Sequence, residues 1–341
     1  MKRLRLVLAV LLPTLLLHVP ARAQDRRDEQ FYWPGGFNWQ FLARHPDGAR
    51  LFNAFDYGHA VLYEVLLDHP SNPAPILDRE YAYLTRELLP RPPRFAIAEE
   101  AVMPDYAKLA WRAKQMFDWA HVFHRQVYDV YADERVSGEQ KDALIERLTD
   151  YYLSRTEYAF SPLPKSMALM DAQSFSQVFR RSQPRFNGLI WAYHWLQVGL
   201  YEPMAVARTE AERTAGVRHA VARFREMVAS ERFPAVMPMT PAIAPTFSRR
   251  HPRAAAIFDN LHMMHDIISD VLASPDVPRE RKRATIYEQL TAFRDTTTQV
   301  MSRDEWWGMA KQMGGVNAMG GSVMGEAVTP AEPSAHEHHQ P

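Results

Sequence analysis

The stretch FDWAHVFHRQVYDV, Phe117 to Val130, returns as FDNLHMMHDIISDV, Phe258 to Val271, with Phe, Asp, His, His, Asp and Val identically spaced. A shorter echo is Phe55-Asp56-Tyr57-Gly58-His59. Apolar residues fill the positions between. On an α-helix, at about 100° per residue, setting Asp118 at zero puts His121, His124 and Tyr128 at roughly −60°, −120° and −80°. They share one face, as do Asp259, His262 and His265. The repeated residues are mostly polar or ionisable, so the repetition marks a site set into a helical framework.

Outward from these segments the same three- and four-residue apolar spacing continues. It predicts helices near 51–68, 76–89, 104–133, 138–158, 166–181, 185–201, 209–230, 252–273 and 279–301. Prolines punctuate them, among them Pro70, Pro90, Pro162, Pro234 and Pro275. No run alternates as a strand does. The expectation is an all-α, multi-helix bundle of about nine helices, with one helical domain over 51–307.

The two ends differ from this core. Residues 1–23 carry Lys2, Arg3 and Arg5, an apolar run from Leu6 to Leu17, and Ala21-Arg22-Ala23, the pattern of a secretory signal peptide. That run is too short for a membrane anchor, which needs about 20 apolar residues. The expected location after cleavage near Ala23 is periplasmic or secreted, in a bacterial setting. Residues 24–50, with Phe31, Tyr32, Trp33, Phe37 and Trp39, read as an aromatic arm laid across the helices. Residues 308–341, with Met313, Met319, Met324, His336, His338 and His339, read as a flexible tail whose thioethers and imidazoles suit copper.

Composition excludes several chemistries. The chain has no cysteine, which removes disulfides, thiolate metal sites and covalently attached haem. The first 23 residues hold four basic groups and no acid, so 40 − 4 leaves 36 basic against 40 acidic residues in the remainder. A weakly acidic chain without a basic tract has no electrostatic footprint for nucleic acid, and no second run is long enough to span a membrane. Walker, dinucleotide, Gly-x-Ser-x-Gly and His-Glu-x-x-His motifs are all absent.

Residues three apart on a helix are neighbours, so each Asp-x-x-His can bring an oxygen and a nitrogen to one point. The candidate metal ligands are therefore His59, His121, His124, His262 and His265 with Asp56, Asp118 and Asp259. Glu64, Glu202 and Asp266 are further acids that could bridge two ions, as in di-iron carboxylate bundles, an analogy only. Imidazoles and carboxylates suit copper, iron, zinc or manganese over calcium. The expected cofactor is copper or iron, in one or two ions, with non-covalent haem as a third option. His194, among Trp191, Tyr193 and Trp195, reads as a hydrogen-bonded histidine of an aromatic core.

Three functional classes follow. The first is a redox-active metalloprotein with a buried His/Asp centre. The second is a copper- or haem-handling protein working with a periplasmic redox or metal-delivery partner. The third is a helical scaffold whose histidines and aspartates only cross-link helices. Ligands that converge in a closed core favour the first, surface ligands the second, and scattered ones the third.

Overall fold

The computed structural model describes residues 29–324, and among them helices account for all regular structure apart from one bridge between Lys165 and Val300. The chain is all-α, as the apolar spacing implied. Residues 1–28, with the expected signal segment, and residues 325–341, with His336, His338 and His339, lie outside the described residues.

The chain runs twice through one arrangement. The first pass is α1 (Gln40–Arg44), α2 (Pro46–Asp68), α3 (Ala74–Tyr83), α4 (Glu99–Val102), α5 (Pro104–Leu109), α6 (Trp111–Ala132) and α7 (Gly138–Leu153). After the short α8 (Ala168–Asp171) comes α9 (Val178–Ser182), then α10 (Pro184–Gly199), α11 (Tyr201–Val206), α12 (Glu210–Ser230) and α13 (Thr240–Ile243). The second pass closes with α14 (Pro245–Arg250), α15 (Pro252–Ala273) and α16 (Arg279–Arg294). Finally α17 (Arg303–Gln312) and α18 (Gly315–Ala318) pack on its outside.

The cross-links repeat with the helices. Asp129 accepts from the amides of Trp39 and Phe41 at 2.9 and 2.8 Å, and Asp270 accepts from those of Gln177 and Phe179 at 2.7 and 2.9 Å. Each carboxylate thereby caps a short helix whose first turn starts from a left-handed residue, Trp39 at φ 73° or Gln177 at φ 63°. Glu64 caps α5 through Asp105 N and Tyr106 N, both at 3.0 Å, and Glu202 caps α14 through Thr246 N and Phe247 N at 2.8 and 3.4 Å. Lys141 donates to Tyr131 O at 2.7 Å, as Lys282 does to Leu272 O at 3.1 Å. Single residues with bent backbone separate consecutive helices at matching places: His45 and Gln183, Met103 and Ala244, Ala110 and His251. Proline opens the next helix at five of these six junctions, where its missing N–H costs nothing.

The two passes interlock. Tyr63 on α2 donates to the carbonyl of His265 on α15, and Tyr201 on α11 donates to the carbonyl of His124 on α6, both at 3.4 Å. Since i in one half meets j in the other and the reverse also holds, the halves are joined about an approximate two-fold axis. Every side chain from Phe186 to Gly199 on α10 and from Ala254 to Leu272 on α15 is buried, so these two helices form the centre. A helix apolar on all sides has no solvent face to offer.

Four expectations need correction in detail. The helix expected over 104–133 breaks at Ala110 (φ −131°, ψ 46°), and 166–181 is two short helices, the first ending at Asp171 and the second starting afresh from left-handed Gln177. The helix expected to start at 51 starts at Pro46 and takes in the end of the arm. Residues 308–324 of the expected tail pack: Met319 is fully buried and accepts from Met239 N at 3.4 Å, while Trp195 donates to Gly321 O at 2.8 Å. The arm packs as expected, with Tyr32 stacked 4.7 Å from Trp39 and Gln126 bonded to both backbone groups of Trp33.

Candidate metal centre

Six histidines meet in the core, one from α2 (His59), two from α6 (His121, His124), one from α10 (His194) and two from α15 (His262, His265). All but His121 are fully buried. Three of them converge: one nitrogen each of His59, His194 and His265 lies within 4.8 Å of the others. His265 Nδ1 stands 2.8 Å from His59 Nε2 and 3.4 Å from His194 Nε2. Nitrogens bound about 2.0–2.1 Å from one ion at tetrahedral angles are roughly 3.3–3.4 Å apart, so this spacing is close to that of a shared coordination sphere.

Packing aims the rings. Phe55 meets His59 edge-on at 4.0 Å, Phe117 meets His265 at 4.2 Å, and His262 stacks on His194 at 4.2 Å. Phe55 and Phe117 are the phenylalanines of their Phe-Asp-x-x-His segments. The repeated Phe therefore serves to lock an imidazole in place.

Among the described residues, each ring of the cluster has a nitrogen without a protein partner. His59 Nδ1, His121 Nε2, His124 Nε2, His194 Nδ1, His262 Nδ1 and His265 Nε2 are buried without a partner among the described residues. His124 Nδ1 meets the hydroxyl of Tyr201, and His262 Nε2 meets Gln197 Oε1 at 3.0 Å. Buried polar groups left unpaired each cost on the order of 1–3 kcal/mol.

None of the three candidate aspartates belongs to the converging triad. Asp56 pairs with Arg125 at 2.8 Å, and Asp118, part-exposed, with Lys114 at 2.6 Å. Asp259 accepts from Thr240 N at 2.8 Å, Thr240 Oγ1 at 2.6 Å and Trp306 Nε1 at 2.8 Å. The helix-wheel argument put Asp and His on one broad face, but about 60° of rotation separates them, and Asp118 pairs along its own helix while Asp56 and Asp259 reach other elements. Glu64 and Glu202 are helix caps, as described, and Asp266 accepts from Trp191 Nε1 at 2.9 Å. Glu64 also lies near Asp68 and Asp105 at the surface, where its capping role accounts for its position.

His194 is the residue the sequence concealed. It lies 138 positions after Asp56, and Gln197 lies 138 after His59, so the second pass carries His-x-x-Gln where the first carries Asp-x-x-His. The signal that finds it is the framework around it: Pro46 with Pro184, Tyr63 with Tyr201 and Glu64 with Glu202, all at that same shift.

Burial sets the charge state. It lowers all six histidines; His59 and His262 are brought down to about 3, burial acting first and, for His59, the nearby His262 second. At neutral pH the centre is a set of uncharged imidazoles, ready to ligate. The metal-free protein should in turn lose stability on acidification. Below about pH 6.5 the unfolded chain takes up protons that these two histidines refuse in the fold down to about 3. At pH 5.5 each contributes about 1.4 kcal/mol of destabilisation, and neither contributes appreciably at 7.5. Thermal melts of chelated protein at the two pH values check this: the midpoint should be several degrees lower at 5.5, and equal midpoints would mean that the folded core accepts the protons.

A chamber of 410 Å³ approaches the cluster from the side of α4 and α6, and of the six histidines it touches His121 alone. Compared with models of known families, with characterised proteins and with solved structures, this chain matches none.

Proposed function

We propose that this protein is an exported, redox-active metalloprotein in which His59, His194 and His265 hold a copper ion. The carrying observation is the convergence of three imidazole nitrogens from three helices within 4.8 Å in a fully buried site. The nitrogens an ion would use are His59 Nε2, His194 Nε2 and His265 Nδ1, and their turning toward one point, away from any carboxylate or carbonyl that would cross-link the helices, is what favours a metal centre over a scaffold. Closed burial argues against copper handling as the main role, because delivery requires exposed, exchangeable ligands.

The donor set favours copper over iron. Non-haem iron commonly takes at least one carboxylate, and the aspartates nearest the triad in sequence, Asp56, Asp259 and Asp266, are engaged by Arg125, the Thr240–Trp306 pair and Trp191. Three neutral imidazoles in a dry core also suit a singly charged ion, since the cost of burying charge grows steeply with its magnitude. That points to copper(I) as the resting form, with copper(II) as its oxidised partner. Haem is the poorer fit: nitrogens 2.8 and 3.4 Å apart leave no slot for a macrocycle between their rings.

Elemental analysis of protein isolated from its native compartment tests the reading. We expect one copper per chain, and an absorption and EPR signature of copper(II) on oxidation. Zinc at the same stoichiometry would replace redox chemistry with Lewis-acid chemistry, and absence of any metal would remove the centre.

A further inference from the structure

The two-fold arrangement makes the two halves differ in a telling way. Around the triad the core is closed, whereas beside Asp56 and His121 it opens into the 410 Å³ chamber. His121 and Asp56 on the chamber wall are the counterparts of His262 and His194 in the closed half. The ring of His121 also stands 5.7 Å from that of His265, one imidazole away from the triad.

We propose that this chamber is the substrate site of the buried centre and that it takes a single-ring aromatic molecule bearing a hydroxyl, a phenol. This rests on the metal-centre reading. The volume falls within the range of small-molecule pockets, about 300–1,000 Å³. Its walls include Trp111, Trp119, Phe31 and Tyr158, a set that suits a flat ring by offset stacking. Trp111 is 49% exposed, a large apolar ring left facing water that a bound ring would cover. Arg155 lies over Trp119 and Phe31 at 4.7 and 5.4 Å, fixing those rings and leaving Trp111 as the adaptable one.

The polar end of the chamber selects the head group. Lys114 Nζ bonds Asp118 at 2.6 Å but stands 3.5 Å from the Glu99 carboxylate, at the limit of a hydrogen bond. A hydroxyl there accepts from the ammonium and donates to Glu99. Asp56, Glu100 and Asp118 line this end of the chamber, and burial first, then the charges of Asp118 and Asp56, push the Glu99 carboxyl well above the usual range, so a further anion is unwelcome. An aromatic carboxylate is disfavoured on the same ground.

Calorimetric titration of the full chain with 4-methylphenol, toluene and 4-methylbenzoate tests the assignment, with the copper content of each sample measured alongside. We expect one saturable site for 4-methylphenol, with toluene and 4-methylbenzoate each roughly tenfold weaker or worse. Trp111→Ala, at an exposed position that should not disturb folding, should weaken 4-methylphenol by up to about tenfold with unchanged copper content, the loss of one aromatic contact. No saturable binding, equal binding of toluene, or a Trp111→Ala variant that binds as well as the parent overturns the proposal. Phenol binding by a chain that takes up no copper would sink the copper reading and keep the chamber as a phenol site. Copper uptake without phenol binding would do the reverse.

Discussion

Replacing His59 and His265 together by leucine should remove bound copper, from one ion per chain to none, without lowering the thermal midpoint of the metal-free protein. Both halves of that expectation come from the same geometry. The triad would keep only His194, and one imidazole cannot retain an ion against a chelator. The side chains also occupy tight sites against Phe55 and Phe117, which leucine fills at similar volume. The substitution deletes His59 Nδ1 and His265 Nε2, two buried nitrogens without partners, each a cost of on the order of 1–3 kcal/mol. The metal-free double variant should therefore be as stable as the parent or more so. Copper content by elemental analysis and melts after chelation decide it: a variant that loses both copper and several degrees would show that the histidines cross-link the core for its own sake.

Asp259→Ala should do the opposite, costing stability heavily and leaving the copper in place. Its carboxylate receives three buried hydrogen bonds, from Thr240 N, Thr240 Oγ1 and Trp306 Nε1, and through them holds α13 and α17 against α15. Truncation leaves those donors unsatisfied in a site closed to water. The expected loss is about 3–5 kcal/mol, or roughly 10 °C in midpoint for a chain of this size. Because the carboxylate points away from the triad, copper stoichiometry measured well below the melt should stay at one. Loss of copper with an unchanged midpoint would return Asp259 to the ligand set that its Asp-x-x-His spacing first suggested.

These two variants separate what the repeated segment encodes. Its Phe residues seat the imidazoles, its histidines enter the central cluster, and its first Asp turns outward to a different neighbour in each copy: Arg125 for Asp56, Lys114 for Asp118, Thr240 and Trp306 for Asp259. Its second Asp, at 129 and 270, caps the short helix that opens each pass. Sequence spacing places a residue on a helix face to within tens of degrees, and that is too coarse to say which of two adjacent side chains reaches a common point.

The sequence alone determined the all-α class, the helices that carry histidine and the imidazole character of the site. Those properties are written in local periodicity and residue type, and both survive folding unchanged. The tertiary structure decided three things that no local pattern contains. It showed that the whole chain, beyond its two matching segments, is laid down twice about an approximate two-fold axis, which only contacts such as Tyr63 with His265 and Tyr201 with His124 reveal. It brought His194 from an aromatic helix without the motif into the triad, because α10 occupies in the second pass the place of α2 in the first. It also left the aspartates out of the triad, each with donors in its own surroundings. Ligand convergence is a property of how helices cross, and residues 59, 194 and 265 meet only where three helices far apart in the chain pack on one another.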